Sequence, residues 1–367
     1  VEILRLGIYQ IIYMDKVPES AAVNESVKLA KKLTRGLSGF VNAILRSVIR
    51  EQDTIGIEDL AANDIETISF IYNIPLWLIN LWIREFGRDK TEDLCAWFNE
   101  QPKLTARINT ILIDIPQCLA LLDEQGWDVT QDTNYEDIIY INSHRGSLEK
   151  SEAFIKGYIT FMDKASMLVA RLVNPQPGER ILDCCAAPGG KSMYMAALMD
   201  NVGSLMSCDI HEHKIELMNS NAERLGASIV HTKVQDATKL PDSWKSYFDR
   251  VLVDAPCSGL GILQKKLDMR WRKQESILSE LPPLQLAILE RAAMTVKEKG
   301  YLIYSTCTLN YKENEEVVEA FLQKHKEFSI IPVAEDFPLK SNSGMITTYP
   351  PTDDMDGFFM VKMQRIS

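Results

Sequence analysis

An α/β chain, with a mostly parallel sheet carrying helices on both faces, is the fold class this sequence predicts, and three observations predict it. From about residue 151 onward, short apolar runs alternate with helical stretches. One such run, ILDCCAAPGGKS at 181–192, passes through a loop of small residues into a helix start. Before residue 68 the apolar spacing is helical throughout, so the sheet domain follows an all-helical segment.

Length and composition bound the reading. A chain of 367 residues has room for two or three domains, and 46% hydrophobic with 25% charged residues is an ordinary globular mixture. No apolar run approaches the ~20 residues of a membrane span, and the start lacks the basic and cleavage regions of a signal peptide. Seven cysteines without paired spacing argue against a disulfide framework and suit a reducing, cytoplasmic setting. A net charge of −11 speaks against nucleic acid as a partner unless basic residues cluster locally.

The first helix places Ile3, Leu4, Ile8, Ile11 and Ile12 on one face with no capping residue before it, so the sequence is expected to begin inside a domain. Helices follow at AAVNESVKLAKKL and FVNAILRSVIRE, with Gly36 and Gly39 breaking the chain between them. Lys28, Lys31, Lys32, Arg35, Arg46 and Arg50 are opposed over this span only by Glu25. That makes an RNA-facing surface and a solvated helix face equally good readings. Residues 69–150 read as a small α/β module, in which Trp77, Trp82 and Trp97 have the spacing of buried helix faces. Residues 151–367 supply seven expected strands: RILDCCA, SLMSCDI, SIVHTKV, FDRVLVDA, GYLIYSTC, FSIIPV and GFFMVKM. The helix between the fourth and fifth is expected to start near Pro282-Pro283 and to end at Lys299-Gly300.

In a parallel sheet, ligands sit at the carboxyl ends of the strands. Five features fall there: the 184–191 loop, Asp209, Gln235-Asp236, Asp254 to Cys257, and Ser305 to Cys307. The loop has neither the dinucleotide fingerprint nor a P-loop, because position 185 is Cys where the latter needs Gly. Small residues, a helix N-terminus and an acidic residue after the next strand, without a phosphate motif, suggest S-adenosylmethionine, with Asp209 on its ribose hydroxyls. Cys257 and Cys307 end neighbouring expected strands, and two thiols beside a methyl donor suggest cytosine C5 methylation. A thiolate adding to C6 makes C5 nucleophilic. Asp254 is suited to hydrogen-bond the base and to carry developing charge. The sequence does not say which cysteine attacks. His211 and His213 lack a third ligand, so no metal is expected. After Cys257, Lys265, Lys266, Arg270, Arg272 and Lys273 outweigh Asp268, and Trp271 lies among them, a composition suited to an RNA backbone and a stacked base.

The combination CCAAPGGKS, DAPCSGLG and YSTCTL resembles the RNA cytosine-5 methyltransferases of the NOL/NOP/Sun group. FVNAILRS and AAVNESVKLAKK resemble the second part of a NusB-like RNA-binding domain, GYITFMDKAS resembles the segment before the catalytic domain, and DGFFMVKM resembles its last strand. The resemblance spans nearly the whole chain. It implies a NusB-like domain at 1–68, a linking module at 69–150 and a Rossmann-like, class I S-adenosylmethionine methyltransferase domain at 151–367. It implies Cys307 as nucleophile and Cys257 as the residue assisting product release. Cys185, Ala186, Ala187, Pro188, Gly189, Gly190, Lys191, Asp209, Asp236 and Asp254 would line the cofactor site. The expected substrate is a cytosine in 16S rRNA, with a monomeric protein and no membrane or metal partner. Transfer RNA or another RNA, and a catalytically silent assembly factor, stand as the alternatives. The chain departs from the family's usual pattern at Met162-Asp163, where Gln precedes Asp, and at Gln264-Lys265, where Arg-Arg is usual.

Overall fold

The fold was taken from a computed structural model, which describes residues 1–34, 36–52 and 65–367. Arg35, one of the basic residues singled out above, lies outside the described residues. The chain divides into two compact units, Val1–Asn73 and Ile74–Ser367.

In the first unit, helices Glu2–Tyr13, Glu19–Leu33 and Ser38–Glu51 pack around Val23, Ala30, Val41 and Leu45. Gly7 permits the close approach, since a Cβ there would lie 2.7 Å from Leu45. Gly36 breaks the chain with φ +76°, whereas Gly39 lies inside the following helix and breaks nothing. Leu6, Tyr9 and Tyr13 leave apolar surface exposed on the first helix. The helix Ile65–Tyr72 closes this unit.

The second unit opens with helices Leu76–Phe86 and Arg88–Trp97, where Trp82 is fully buried against Phe98 and Trp77 and Trp97 are half-buried. An antiparallel sheet follows, built from β1 (Leu104–Ile108), β2 (Asp128–Gln131), β3 (Ile138–Ser143) and β4 (Ile159–Phe161) in the order β2-β3-β1-β4. Its fourth strand lies beyond residue 150, where sequence alone placed the next domain. Ala106 and Ile108 of β1 pack toward the helix Ile115–Glu124 through Cys118 and Leu122.

The large sheet holds β5 (Arg180–Asp183), β6 (Ser204–Asp209), β7 (Val230–Val234), β8 (Phe248–Asp254), β9 (Val296–Thr306), β10 (Phe328–Ile330), β11 (Met345–Thr347) and β12 (Phe359–Arg365). The run β7-β6-β5-β8-β9 is parallel. β12 adds antiparallel to β9, and β10 and β11 both pair with β12. Helices on both faces bury two apolar layers, one around Leu168, Tyr194 and Leu205, the other around Val251, Leu289 and Tyr304. This is the doubly wound arrangement the alternation predicts.

Two local expectations are corrected. The sheet has eight strands, not seven: Met345–Thr347 is too short to announce itself. The helix between β8 and β9 runs Ile277–Ala293, with Pro282 and Pro283 inside it. Val296 to Lys299, read from sequence as the end of that helix, instead begins β9, with Lys299 at φ +62°. Pairing of β9 with the interior strand β8 overrides the helical preference of Lys-Glu-Lys. Among the described residues, no helix is long and apolar enough to cross a membrane.

Candidate active site

Because β5 to β9 run parallel, their carboxyl ends share one edge, and the five sequence-predicted features lie along it. The loop after β5 is pinned to its neighbours: Cys184 N–H donates to Leu252 O at 2.9 Å and Ala186 N–H to Cys208 O at 2.8 Å. The Ala187–Pro188 peptide is cis, and Gly189, at φ +100°, precedes the helix Gly190–Leu198 as its N-cap. A Cβ on Gly189 would lie 3.2 Å from Met218. Below the loop, Ser207 donates to Ser192 at 2.8 Å and Ser192 to Asp183 at 2.7 Å. Burial pushes the Asp183 carboxyl up to about 7. Burial also raises the thiols of Cys184, Cys185 and Cys208, which keeps them protonated and chemically quiet.

Lys191, in the first turn of that helix, reaches across to Asp254 at the end of β8, Nζ to Oδ2 2.7 Å. Ser305 donates to the other carboxylate oxygen at 2.7 Å. Burial opposes the Lys191 charge, but Asp254 beside it outweighs this and holds the ammonium protonated. Sequence reasoning placed Lys191 only in the cofactor loop; its pairing with Asp254 needed the fold.

The two predicted thiols do meet. Cys257 Sγ and Cys307 Sγ are 3.2 Å apart and unbonded, and Cys307 N–H donates to Cys257 Sγ at 3.3 Å. Register explains the meeting: Asp254 pairs with Ser305 across β8 and β9, so the next residues leave the sheet side by side. The hydrogen bond with Cys307, burial, and the electrostatic influence of Cys307 and Glu313 hold the Cys257 thiol well above the usual range.

Asp209 ends β6, nearly buried. Its Oδ1 accepts from His211 N–H at 3.0 Å, and Lys214 stands 3.6 Å from Oδ2. Asp236, after β7, is tied locally to Thr238 N–H at 2.9 Å and to the Thr238 hydroxyl at 2.6 Å, and these bonds hold its carboxyl below the usual range. His211 and His213 are both exposed, and among the described residues no group of three or more His, Cys, Asp or Glu could hold a metal ion.

The basic segment after Cys257 divides. Lys266 and Arg272 are exposed, Lys273 half-buried, and Trp271 is 59% exposed beside them. Lys265 instead spans two carboxylates, Asp163 and Asp356, the latter at 3.0 Å. Arg270 is buried and donates to Asn99 Oδ1 at 2.7 Å and to Phe98 O. Lys265 is thus paired with two carboxylates while still exposed, and Arg270 is buried in the fold and not presented to a phosphate as the sequence suggested. Their partners lie about a hundred residues or more away, beyond the reach of local pattern.

The residues fit S-adenosylmethionine. Gly190 leaves its backbone uncovered by a side chain of its own, a Cβ there coming into ordinary contact with Met162 at 3.6 Å. The helix behind it offers first-turn N–H groups without intrahelical partners, and Asp209 and Asp236 supply acceptors at the same edge. The fold and this edge define a Rossmann-like S-adenosylmethionine methyltransferase. Residues 170–364 match the family described as 16S rRNA methyltransferase RsmB/F, residues 1–50 the NusB family, and residues 74–146 the ferredoxin-like domain of RsmF/B-like methyltransferases. The chain belongs to the RsmB/F family of 16S rRNA methyltransferases. It is 36% identical to the probable ribosomal RNA small subunit methyltransferase B of Bacillus subtilis, over 100% of this chain and 82% of that protein. It is 30% identical to ribosomal RNA small subunit methyltransferase B of Serratia proteamaculans, over 98% and 81%. The crystal structure of PH0851 superposes with a TM-score of 0.86 at 27% identity, covering 98% of this chain and 81% of that one.

Proposed function

We propose that this chain methylates C5 of a cytosine in 16S rRNA, with Cys307 as the covalent nucleophile and Cys257 assisting release. The observation that carries the reading is the pair of thiols 3.2 Å apart at the same sheet edge as the cofactor loop. S-adenosylmethionine, when bound, supplies the methyl group. Cys307, having given up its thiol proton, bonds through Sγ to C6; the C5–C6 π pair shifts to C4–C5 to leave an enamine, and C5 takes the methyl group while the donor's sulfonium sulfur departs as a neutral thioether. The C5 proton then leaves, the electron pair re-forms the double bond, and the C6–S bond breaks.

Cys257 suits the second half of this sequence. A thiol that keeps its proton attacks poorly but can exchange a proton with the adduct. Asp254 is poised to face the pyrimidine, with Lys191 and Ser305 fixing both of its oxygens. Asp209 would take the ribose hydroxyls and Asp236 the adenine side of the cofactor. Lys266, Arg272 and Lys273, with Trp271, remain the basic and aromatic groups open to RNA near the site, and the target base would have to leave its stack to reach it. The NusB-like helices at 1–68 and the module from 69 are read as the parts that hold rRNA in place.

The test is the identity of the product. Small-subunit rRNA incubated with S-adenosylmethionine and the protein, then digested to nucleosides, should yield 5-methylcytidine with wild type and none with Cys307→Ala. Methylation at another atom, or a Cys307→Ala variant as active as wild type, would sink the proposal. Transfer of methyl groups to tRNA and not to rRNA would reassign the substrate.

A further inference from the structure

Behind the two thiols lies a carboxylate that the reaction above does not use. Glu313 is fully buried, and among the described residues no Lys, Arg or His pairs with it. Its charge is met by four donors. Ser258 N–H gives 2.8 Å and Gln285 Nε2 2.9 Å to Oε2, while Asn310 Nδ2 gives 3.0 Å and the Ser258 hydroxyl a short bond to Oε1. An ion left uncompensated in the interior is strongly disfavoured, so this much hydrogen bonding is what permits a carboxylate here.

The donors come from both cysteine loops and from the helix Ile277–Ala293. Ser258 follows Cys257, and Gln285 also donates to Pro256 O at 3.0 Å, so both neighbours of Cys257 are tied. On the other side, Asn314, next to Glu313, accepts from the Thr306 hydroxyl at 2.6 Å and donates to Thr308 O at 2.9 Å, so both neighbours of Cys307 are tied. The loops are joined directly by Ser258 Oγ and Thr308 Oγ1 at 2.7 Å. Tyr304 anchors the assembly from β9, donating to Glu313 O at 2.6 Å. Beyond Asp254 and Thr306 the loops also meet through backbone N–H groups, Gly261 N–H donating to Cys307 O at 3.0 Å and Cys307 N–H to Cys257 Sγ at 3.3 Å, and the Glu313 network adds the side-chain ties that flank both sulfurs.

We propose that Glu313 is a positioning residue for methyl transfer: its buried carboxylate buckles the Cys257 and Cys307 loops together and fixes the two sulfurs in reacting register. The inference rests on the two-cysteine reading above. A carboxylate is required because all four groups facing it are donors; Gln would turn an amide N–H₂ toward at least one of them. Glu313 also adds negative charge on the Cys257 side. The other titratable groups facing Cys257 are Tyr304 from β9 and Cys307 just past its end, with Asp254 and Lys191 beyond them.

The experiment compares wild type, Glu313→Gln, Glu313→Asp and Ser258→Ala as full chains. S-Adenosylmethionine affinity should stay within about threefold, reporting an intact fold. Turnover on rRNA should fall at least tenfold in Glu313→Gln with KM little changed, and Glu313→Asp should recover part of it. Peptide-resolved alkylation by iodoacetamide across pH should show the Cys257 profile moving to lower pH in Glu313→Gln, relative to Cys307, a change that a role in stability alone would not produce. If Glu313→Gln fails to fold, Ser258→Ala carries the test, with a smaller turnover loss and a Cys257 profile altered relative to Cys307. Unchanged turnover and unchanged alkylation in a folded variant would overturn the inference. Alkylation needs no RNA, so absence of 5-methylcytidine from wild type would defeat the proposed function and still leave the positioning role decided.

Discussion

At the ends of β8 and β9, Asp254 has both oxygens held, by Lys191 and Ser305, and the cysteine loops are tied through Glu313, Gln285 and Asn314. At the ends of β6 and β7, along the same edge, Asp209 and Asp236 are steadied mainly by backbone and side chains within five residues of themselves, and β7 is largely open to solvent. On the proposed function, the difference matches what each corner would do. Bond formation tolerates little misplacement, so groups on separate strands are locked by long-range bonds. A cofactor that brings its own contacts can be held by residues positioned locally.

The contrast can be broken or sharpened by substitution. The largest effect is expected at the locked corner: Asp254→Asn should lower turnover on rRNA at saturating S-adenosylmethionine on the order of 10²–10³-fold. Arg270→Met should cost about 2–3 kcal/mol in denaturant unfolding, because charged hydrogen bonds to Phe98 and Asn99 are lost, whereas Arg272→Ala should stay within about 0.5 kcal/mol. Equal losses would mean that Arg270 does not support the fold as described. At the open corner, Asp209→Asn should weaken S-adenosylmethionine binding about tenfold, roughly 1.4 kcal/mol, with turnover at saturation nearly intact.

A pH effect of similar size comes from Asp183, beneath the loop. Its carboxyl is raised to about 7 from an unfolded value near 4, so the folded state holds a proton that the unfolded state has released. Its stabilising share is complete below about pH 4 and is lost as pH rises through 7. Between pH 6 and 8 wild type should lose about 1 kcal/mol relative to Asp183→Asn; parallel pH curves for the two would remove the buried proton from the account. The smallest effect belongs to the surface: Lys266→Ala should weaken RNA binding a few fold and reduce the salt slope by about 1.

Much of the edge was legible in the sequence because strand ends are marked by local chemistry. Apolar runs stop at Asp183, Asp209, Asp254 and Thr306, and small or turn-forming residues follow. What stayed hidden depends on partners distant in sequence. Lys265 and Arg270 look like phosphate-binding residues until Asp163, Asp356, Phe98 and Asn99 are folded against them. Glu313 sits in the run KENEEVVE, which reads as the solvated start of a helix, and only the fold turns it inward. Met345–Thr347 is a strand because β12 offers an edge, and Val296 to Lys299 leave the helix because β8 does.

The most direct test of the two-thiol account is a denaturing gel of the protein after incubation with rRNA and S-adenosylmethionine. A covalent RNA–protein band should accumulate with Cys257→Ala and be absent with Cys307→Ala. A band that forms with Cys307→Ala and not with Cys257→Ala would contradict the account, reversing the roles of the two cysteines.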